Sequence, residues 1–217
     1  MALVVSCGGG DDEDDGGPPA TLPATTSTAV LNEAAARALQ TQAAITGSLA
    51  GVIEDPAGAS SDRREWTACG QPIPVPDQRF LTARNVFRSP AGAPPAEFVE
   101  MVQTTTVHHS ATAATASLAA TFDLLDACSR SESDGQVTEG WAPAPVPAGV
   151  ALDARAATLT MTVAAGGEVF PAAHGCVTAG PVVQCLTLWT RSASGTARWF
   201  DQALTVLSEH LARALLD

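Results

Sequence analysis

Apolar residues near the C-terminus recur at Phe200, Leu204, Leu207, Leu211 and Leu215, at spacings of 4, 3, 4 and 4. That is one continuous stripe along a helix, which Ser194 or Thr196 can start. A second helical stripe follows Ser110: Ala114, Leu118, Phe122 and Leu125, with Cys128 near its end. Ser110 suits the cap. Residues 28–46 predict a further helix, capped by Ser27 or Thr28, with Leu31, Ala35, Ala38, Gln42 and Ile45 roughly on one face. Gly47 and Gly51 end or loosen it.

Between these helices the period changes to two. Phe98, Glu100, Val102 and Thr104 alternate with Val99, Met101, Gln103 and Thr105, and the β-branched content favours a strand through Val107. Leu159, Met161 and Val163 alternate with Thr158, Thr160 and Thr162, so Val150 to Val163 is a second strand. Gly166-Gly167 marks a hairpin turn. Phe80 to Phe87, Val169-Phe170 and Val182 to Trp189 supply further strands. Residues 54–62, with Asp55-Pro56 and Gly58, are expected as a loop. Pro72, Pro74 and Pro76 resist central strand pairing. Residues 129–149, rich in Ser, Gly and Pro, are expected as a long loop or edge. The order predicts an α+β domain over 28–217, a mainly antiparallel sheet packed with about three helices.

The N-terminus has a different character. Met-Ala-Leu-Val-Val-Ser-Cys at 1–7 resembles the end of a bacterial lipoprotein signal, with Cys7 as the lipidated residue. The basic and most of the apolar parts of such a signal are missing, so it reads as truncated. Residues 8–27 follow as Gly8-Gly9-Gly10, five consecutive acids at 11–15 and Gly16-Gly17-Pro18-Pro19. Glycine loosens this segment, like charges extend it and proline stiffens it, which suits a tether. The acids lack the Gly-turn spacing of a Ca²⁺ loop. No apolar run reaches the about 18 residues of a membrane span, so attachment is expected through lipid alone.

Charge narrows the partners. The 217 residues carry 23 acids against 11 bases, a net charge of −12. Nucleic acid is excluded as a general partner because phosphate binding needs basic surface, and anionic lipid surfaces are disfavoured for the same reason. All bases are Arg, and Ala, Gly and Pro are abundant, which is the composition of a GC-rich, actinobacterial genome.

Beyond Cys7 the cysteines are Cys69, Cys128, Cys176 and Cys185. An even number in an exported domain reads as two disulfides with three possible connectivities. Cys69–Cys128 with Cys176–Cys185 is preferred, because Thr178-Ala179-Gly180-Pro181 is a turn signal between two apolar stretches. No Cys-x-x-Cys occurs, and the spacings fit no zinc ribbon.

A family resemblance follows from the order of these features. An early helix runs into turns around Gly47 to Val52. Cys69-Gly70-Gln71-Pro72 comes next, then the strand Glu100-Met101-Val102-Gln103-Thr104-Thr105. An Ala-rich helix ends Leu124-Leu125-Asp126-Ala127-Cys128. The pattern resembles the extracellular sensor domain of PknH-type actinobacterial receptor kinases, which also occurs as free lipoproteins. The resemblance spans about residues 28–217 and departs at the close Cys176/Cys185 pair and the 129–149 insert. It implies an α+β ligand-binding domain outside the membrane, with two disulfides and a cleft. The kinase motifs themselves are missing.

No catalytic constellation emerges. His108 and His109 are adjacent and so face opposite ways on a strand; one at a strand end and one near a helix start is expected. His174 next to Cys176 needs a free thiolate to act as a nucleophilic pair. His210 suits the C-terminal end of its helix. Asp123 and Asp126 read as solvated acids, and no Gly-x-Ser-x-Gly surrounds a serine. Trp189 and Trp199 are expected in the core. Trp66 and Trp141, in loop-like segments, are the candidate ligand-lining residues. No metal, cofactor or catalytic residue is expected. The sequence points to a lipid-anchored, extracytoplasmic, non-catalytic sensor-like domain for a small or apolar ligand, a lipid or an envelope protein. A cell-envelope lipid carrier or chaperone is the alternative, and a small cell-wall hydrolase a third.

Overall fold

The computed structural model describes residues 27–62, 67–69, 71–73, 79–94, 97–133, 136–163 and 166–216. Three helices form where the stripes predict: α1 (Thr28–Ser48), α2 (Ala111–Asp126) and α3 (Ala193–Leu216). Serine caps each start by accepting an otherwise orphaned backbone N–H. Ser27 Oγ accepts from Val30, Ser110 Oγ from Ala113 at 3.1 Å, and Ser192 Oγ from Gly195 at 3.1 Å. The α3 cap therefore lies before the Ser194 and Thr196 expected from sequence. Gly47 does not end α1; Leu49 caps it.

Eight strands form one antiparallel sheet. They are β1 (Ile53–Asp62), β4 (Arg79–Arg88), β5 (Val99–His108), β6 (Arg130–Ser133), β7 (Gln136–Ala144), β8 (Asp153–Val163), β9 (Glu168–Ala179) and β10 (Val182–Thr190). Their order is β1-β4-β5-β10-β9-β8-β7-β6. Two short strands, β2 (Thr67–Ala68) and β3 (Gln71–Pro72), pair separately as a hairpin. Cys69 lies in its turn at φ +55°, the left-handed conformation that two-residue hairpin loops require. The predicted α+β architecture, with its antiparallel sheet, three helices and two disulfides, is the observed one.

Three stretches differ from the sequence reading, the second only in part, since a sheet edge was one of its two expected forms. Residues 54–62 are not a loop but most of β1. Ile53–Asp55 pairs with β4, the register shifts between Asp55 and Ser60, and Ser60–Asp62 pairs again. An edge strand has only one neighbour, so the irregularity that carries Pro56 is tolerated there. Much of 129–149 is strand too, as β6 and β7, and forms the opposite edge of the sheet. Strand β9 extends far past Val169-Phe170, because β8 and β10 pair with it on both sides.

The chain path explains the layers. From β5 in the middle of the sheet, α2 leads to β6 at the far edge, and β7 to β10 wind back to lie beside β5. Helices α1 and α3 cover one face. Leu31, Ile45, Phe200, Leu204, Leu207 and Leu211 pack there on Met101, Val177, Leu186 and Leu188. Gly175 on β9 permits the close approach of α3, since a Cβ would lie 2.5 Å from the Phe200 ring. The buried Gln184 ties this face to α1, donating to the Ala38 carbonyl at 3.2 Å and the Thr105 hydroxyl at 3.1 Å. On the other face, α2 packs Ala114, Leu118, Phe122 and Leu125 over Ala157, Val183 and the Cys176–Cys185 pair. One helix cannot cover eight strands, so part of this face stays open. No helix among the described residues is long and apolar enough to cross a membrane.

Candidate functional site

The open part of the α2 face is a cleft of about 540 Å³. Alternation along each strand builds its floor. Val102 and Thr104 come from β5, Cys185, Thr187 and Trp189 from β10, His174 from β9, and Leu159 and Met161 from β8. The register brings Val102, Thr187, His174 and Ala157 into one row across four strands. Thr121 and Leu125 of α2 form one wall. Ser131, Glu132, Gln136, Thr138 and Trp141 of the β6–β7 hairpin form the other, with Cys69 and Arg84 at the rim. A larger groove of about 640 Å³ runs where α1 ends against α3, but exposed side chains make up most of its lining.

Trp141 reaches the cleft because β7 carries one extra residue. Its register shifts between Glu139 and Ala142, and Gly140 sits at φ +69°. Such a bulge bends a strand and re-aims the side chain beside it. The indole stands edge-on to His174, with ring centroids 5.9 Å apart. Its Nε1–H is buried and finds no acceptor among the described residues.

His174 is the most perturbed ionisable group on the cleft. Burial alone pushes its pKa down from 6.5 to about 4, because a desolvated imidazolium is disfavoured. Its Nδ1 lies 2.8 Å from Thr187 Oγ1 and its Nε2 lies 3.3 Å from Cys176 Sγ. Phe122 of α2 completes its surroundings at 5.7 Å. The ring is therefore neutral near pH 7, with Thr187 beside one nitrogen and the disulfide sulfur beside the other. On β5, burial raises the Glu100 pKa, while Arg88 and Arg84 oppose that.

Both disulfides join the preferred partners. Cys69–Cys128 ties the β2–β3 hairpin to the end of α2. Cys176–Cys185 links directly paired positions on β9 and β10, with Cα atoms 4.0 Å apart. Cys176 therefore offers no thiolate for a Cys–His nucleophilic pair. His108 ends β5 and His109 precedes the Ser110 cap, as expected. His210 Nε2 lies 3.2 Å from Ser48 Oγ, tying α3 to the end of α1. Asp123 is exposed and ion-paired to Arg155 at 3.8 Å. Trp189 and Trp199 are buried, and Trp189 also floors the cleft. Trp141 lies on strand β7 rather than in a loop. Cys7 and Trp66 lie outside the described residues.

Sequence reasoning treated His174 only as a nucleophile's partner and missed it as part of the cleft floor. The signal was the shared parity of His174 and Cys176, which puts both on one face once that segment is a strand.

No protein-family model matches this sequence, and no curated protein matches it. A solved structure does match: the extracellular domain of PknH from Mycobacterium tuberculosis, with a TM-score of 0.50 and 10% identity. The match covers 86% of this chain and 92% of that one. At that identity the likeness is one of fold, and in fold this chain is similar to that extracellular domain along most of its length.

Proposed function

We propose that this chain is a lipid-anchored, extracytoplasmic, non-catalytic sensor-like domain that takes a small ligand or a partner's side chains in the α2-face cleft. The observation that carries this reading is the uncovered part of the α2 face of the sheet, lined by α2 on one side and Trp141 on the other. Its lining mixes apolar surface from Trp141, Trp189, Leu159 and Met161 with hydroxyls from Thr104, Thr121, Thr138 and Thr187. Ligand sites combine surfaces in this way. The fold shared with the PknH extracellular domain supports the same class of role, and two disulfides suit an exported protein.

The rival readings fit less well. A lipid carrier needs a deep apolar cavity between sheet and helices, whereas the α1/α3 side is filled by core side chains. A hydrolase needs a base matched to its working pH. His174 sits far below neutrality, and neither recorded ring-nitrogen partner is a carboxylate.

Intact-mass measurement of the exported full chain tests the proposal, first under native and then under denaturing conditions. A mass that leaves on denaturation, and whose occupancy falls in Trp141→Ala, supports the cleft as the binding site. Identical native and denatured masses would remove the small-ligand reading. A diacylglyceryl mass on Cys7, abolished by Cys7→Ser, tests the anchor.

A further inference from the structure

The cleft floor holds a cluster that the binding proposal does not use. His174 Nε2, Cys176 Sγ and Cys185 Sγ all lie within 4.8 Å of one another, and all three residues are buried. We propose that these three residues form a redox-gated site for a soft, tetrahedral divalent cation such as Zn²⁺, closed while the cysteines are bonded and opened by a dithiol reductant.

The ligand set comes from strand pairing rather than sequence spacing. His174 and Cys176 lie two apart on β9 and therefore share a face, and Cys185 is directly opposite Cys176 on β10. This explains why no zinc motif is visible in the chain. The geometry is close to what the metal needs. With Zn–S about 2.3 Å and Zn–N about 2.0–2.1 Å, tetrahedral angles place nitrogen and sulfur about 3.6 Å apart and the two sulfurs about 3.8 Å apart. The His174–Cys176 separation is already 3.3 Å, so reduction needs mainly to let the sulfurs part. Cys185 has room for this because it lines the cleft.

The surroundings also fit. A ligating histidine typically donates its other ring N–H to an oxygen, which fixes the tautomer. Thr187 Oγ1 stands 2.8 Å from Nδ1, leaving Nε2 free to bind. His174 and Cys185 line the cleft while Cys176 lies buried beside them, so a fourth position opens onto the cleft, the arrangement of an open rather than closed zinc site.

The chemistry balances in two steps. A dithiol gives two electrons and two protons to the Cys176–Cys185 bond and becomes a disulfide itself. Zn²⁺ then replaces the two thiol protons, which pass to solvent, and adds the neutral imidazole.

The test uses the full chain, reduced anaerobically by an immobilised dithiol that is then filtered away. Co²⁺ is the probe, because tetrahedral thiolate ligation gives a near-ultraviolet charge-transfer band and strong visible bands. The expected result is one Co²⁺ per reduced chain, bound with release of two protons and then displaced by Zn²⁺, and no bands from the oxidised chain. The double variant Cys176→Ser/Cys185→Ser, which keeps Cys69 and Cys128, should show none. His174→Gln should weaken binding by at least about tenfold, and Thr187→Val by roughly 10–100-fold. Absence of bands in the reduced chain would overturn the proposal, as would bands that persist in the double variant. Equal affinity in His174→Gln and Thr187→Val would overturn it as well, because thiols of an unfolded chain would bind without either residue. Loss of the folded circular-dichroism signal on reduction has the same meaning, since the site needs β9 and β10 paired.

Discussion

Acidification should destabilise this protein through His174. In the folded chain burial holds its pKa at about 4 against an ordinary 6.5. The unfolded chain therefore binds the proton first. The stability tied to the neutral ring is fully present above about pH 6.5 and is lost as the pH falls towards 4. The gap corresponds to about 3 kcal/mol in total, at about 1.4 kcal/mol per pH unit, of which about 2 kcal/mol is lost between roughly pH 7.5 and pH 5. The packed neighbours of the ring are Thr187, the disulfide, Phe122 and Trp141. The charged groups on the same cleft are Arg84 and Glu132. Other groups titrate over this range as well, so the assay is a difference. Urea unfolding of wild type and of His174→Gln, each at several pH values, isolates the histidine. The wild-type advantage should shrink by about 2 kcal/mol on going from about pH 7.5 to about pH 5. A difference independent of pH would refute the reasoning, because it would mean that His174 titrates alike in the folded and unfolded chains.

Further substitutions probe the frame that holds the cleft. Replacing Cys128 with Ser removes the tie between α2 and the β2–β3 hairpin and should cost about 2–5 kcal/mol; an unchanged Tm would contradict a structural role. Gly175→Ala drives a methyl into Phe200 and should cost about 1–3 kcal/mol in urea unfolding, as overpacking does. Ser110→Ala removes the α2 cap at a cost of about 1 kcal/mol, read as a lower midpoint with unchanged slope.

The stripe of α3 and the alternation of β5 and β8 were legible because each of those elements has one buried face, and one-sided burial writes a period into the residues. The three Ser caps sit where a short side-chain oxygen must replace a missing backbone partner, so the helix starts were nearly legible too. Turn residues Gly180-Pro181 between two apolar stretches made the Cys176–Cys185 pairing readable. Strand β9 was not readable beyond its first residues. It is covered on both faces and paired on both edges, so Ala172 to Val177 carries no alternation to recognise. Strand β1 was hidden by Pro56 and Gly58, which an edge position tolerates.

The cleft belongs to the tertiary structure. Its lining comes from β4 to β10, α2 and the β2–β3 turn, residues scattered from Cys69 to Trp189. Local propensity says nothing about which of these meet. Their meeting depends on the path of α2 across the face, on the one-residue bulge that turns Trp141 inward, and on the register that sets His174 beside Thr187. Period and capping are properties of neighbouring residues and can be read from the chain. A site assembled by pairing distant strands exists only once the sheet has closed.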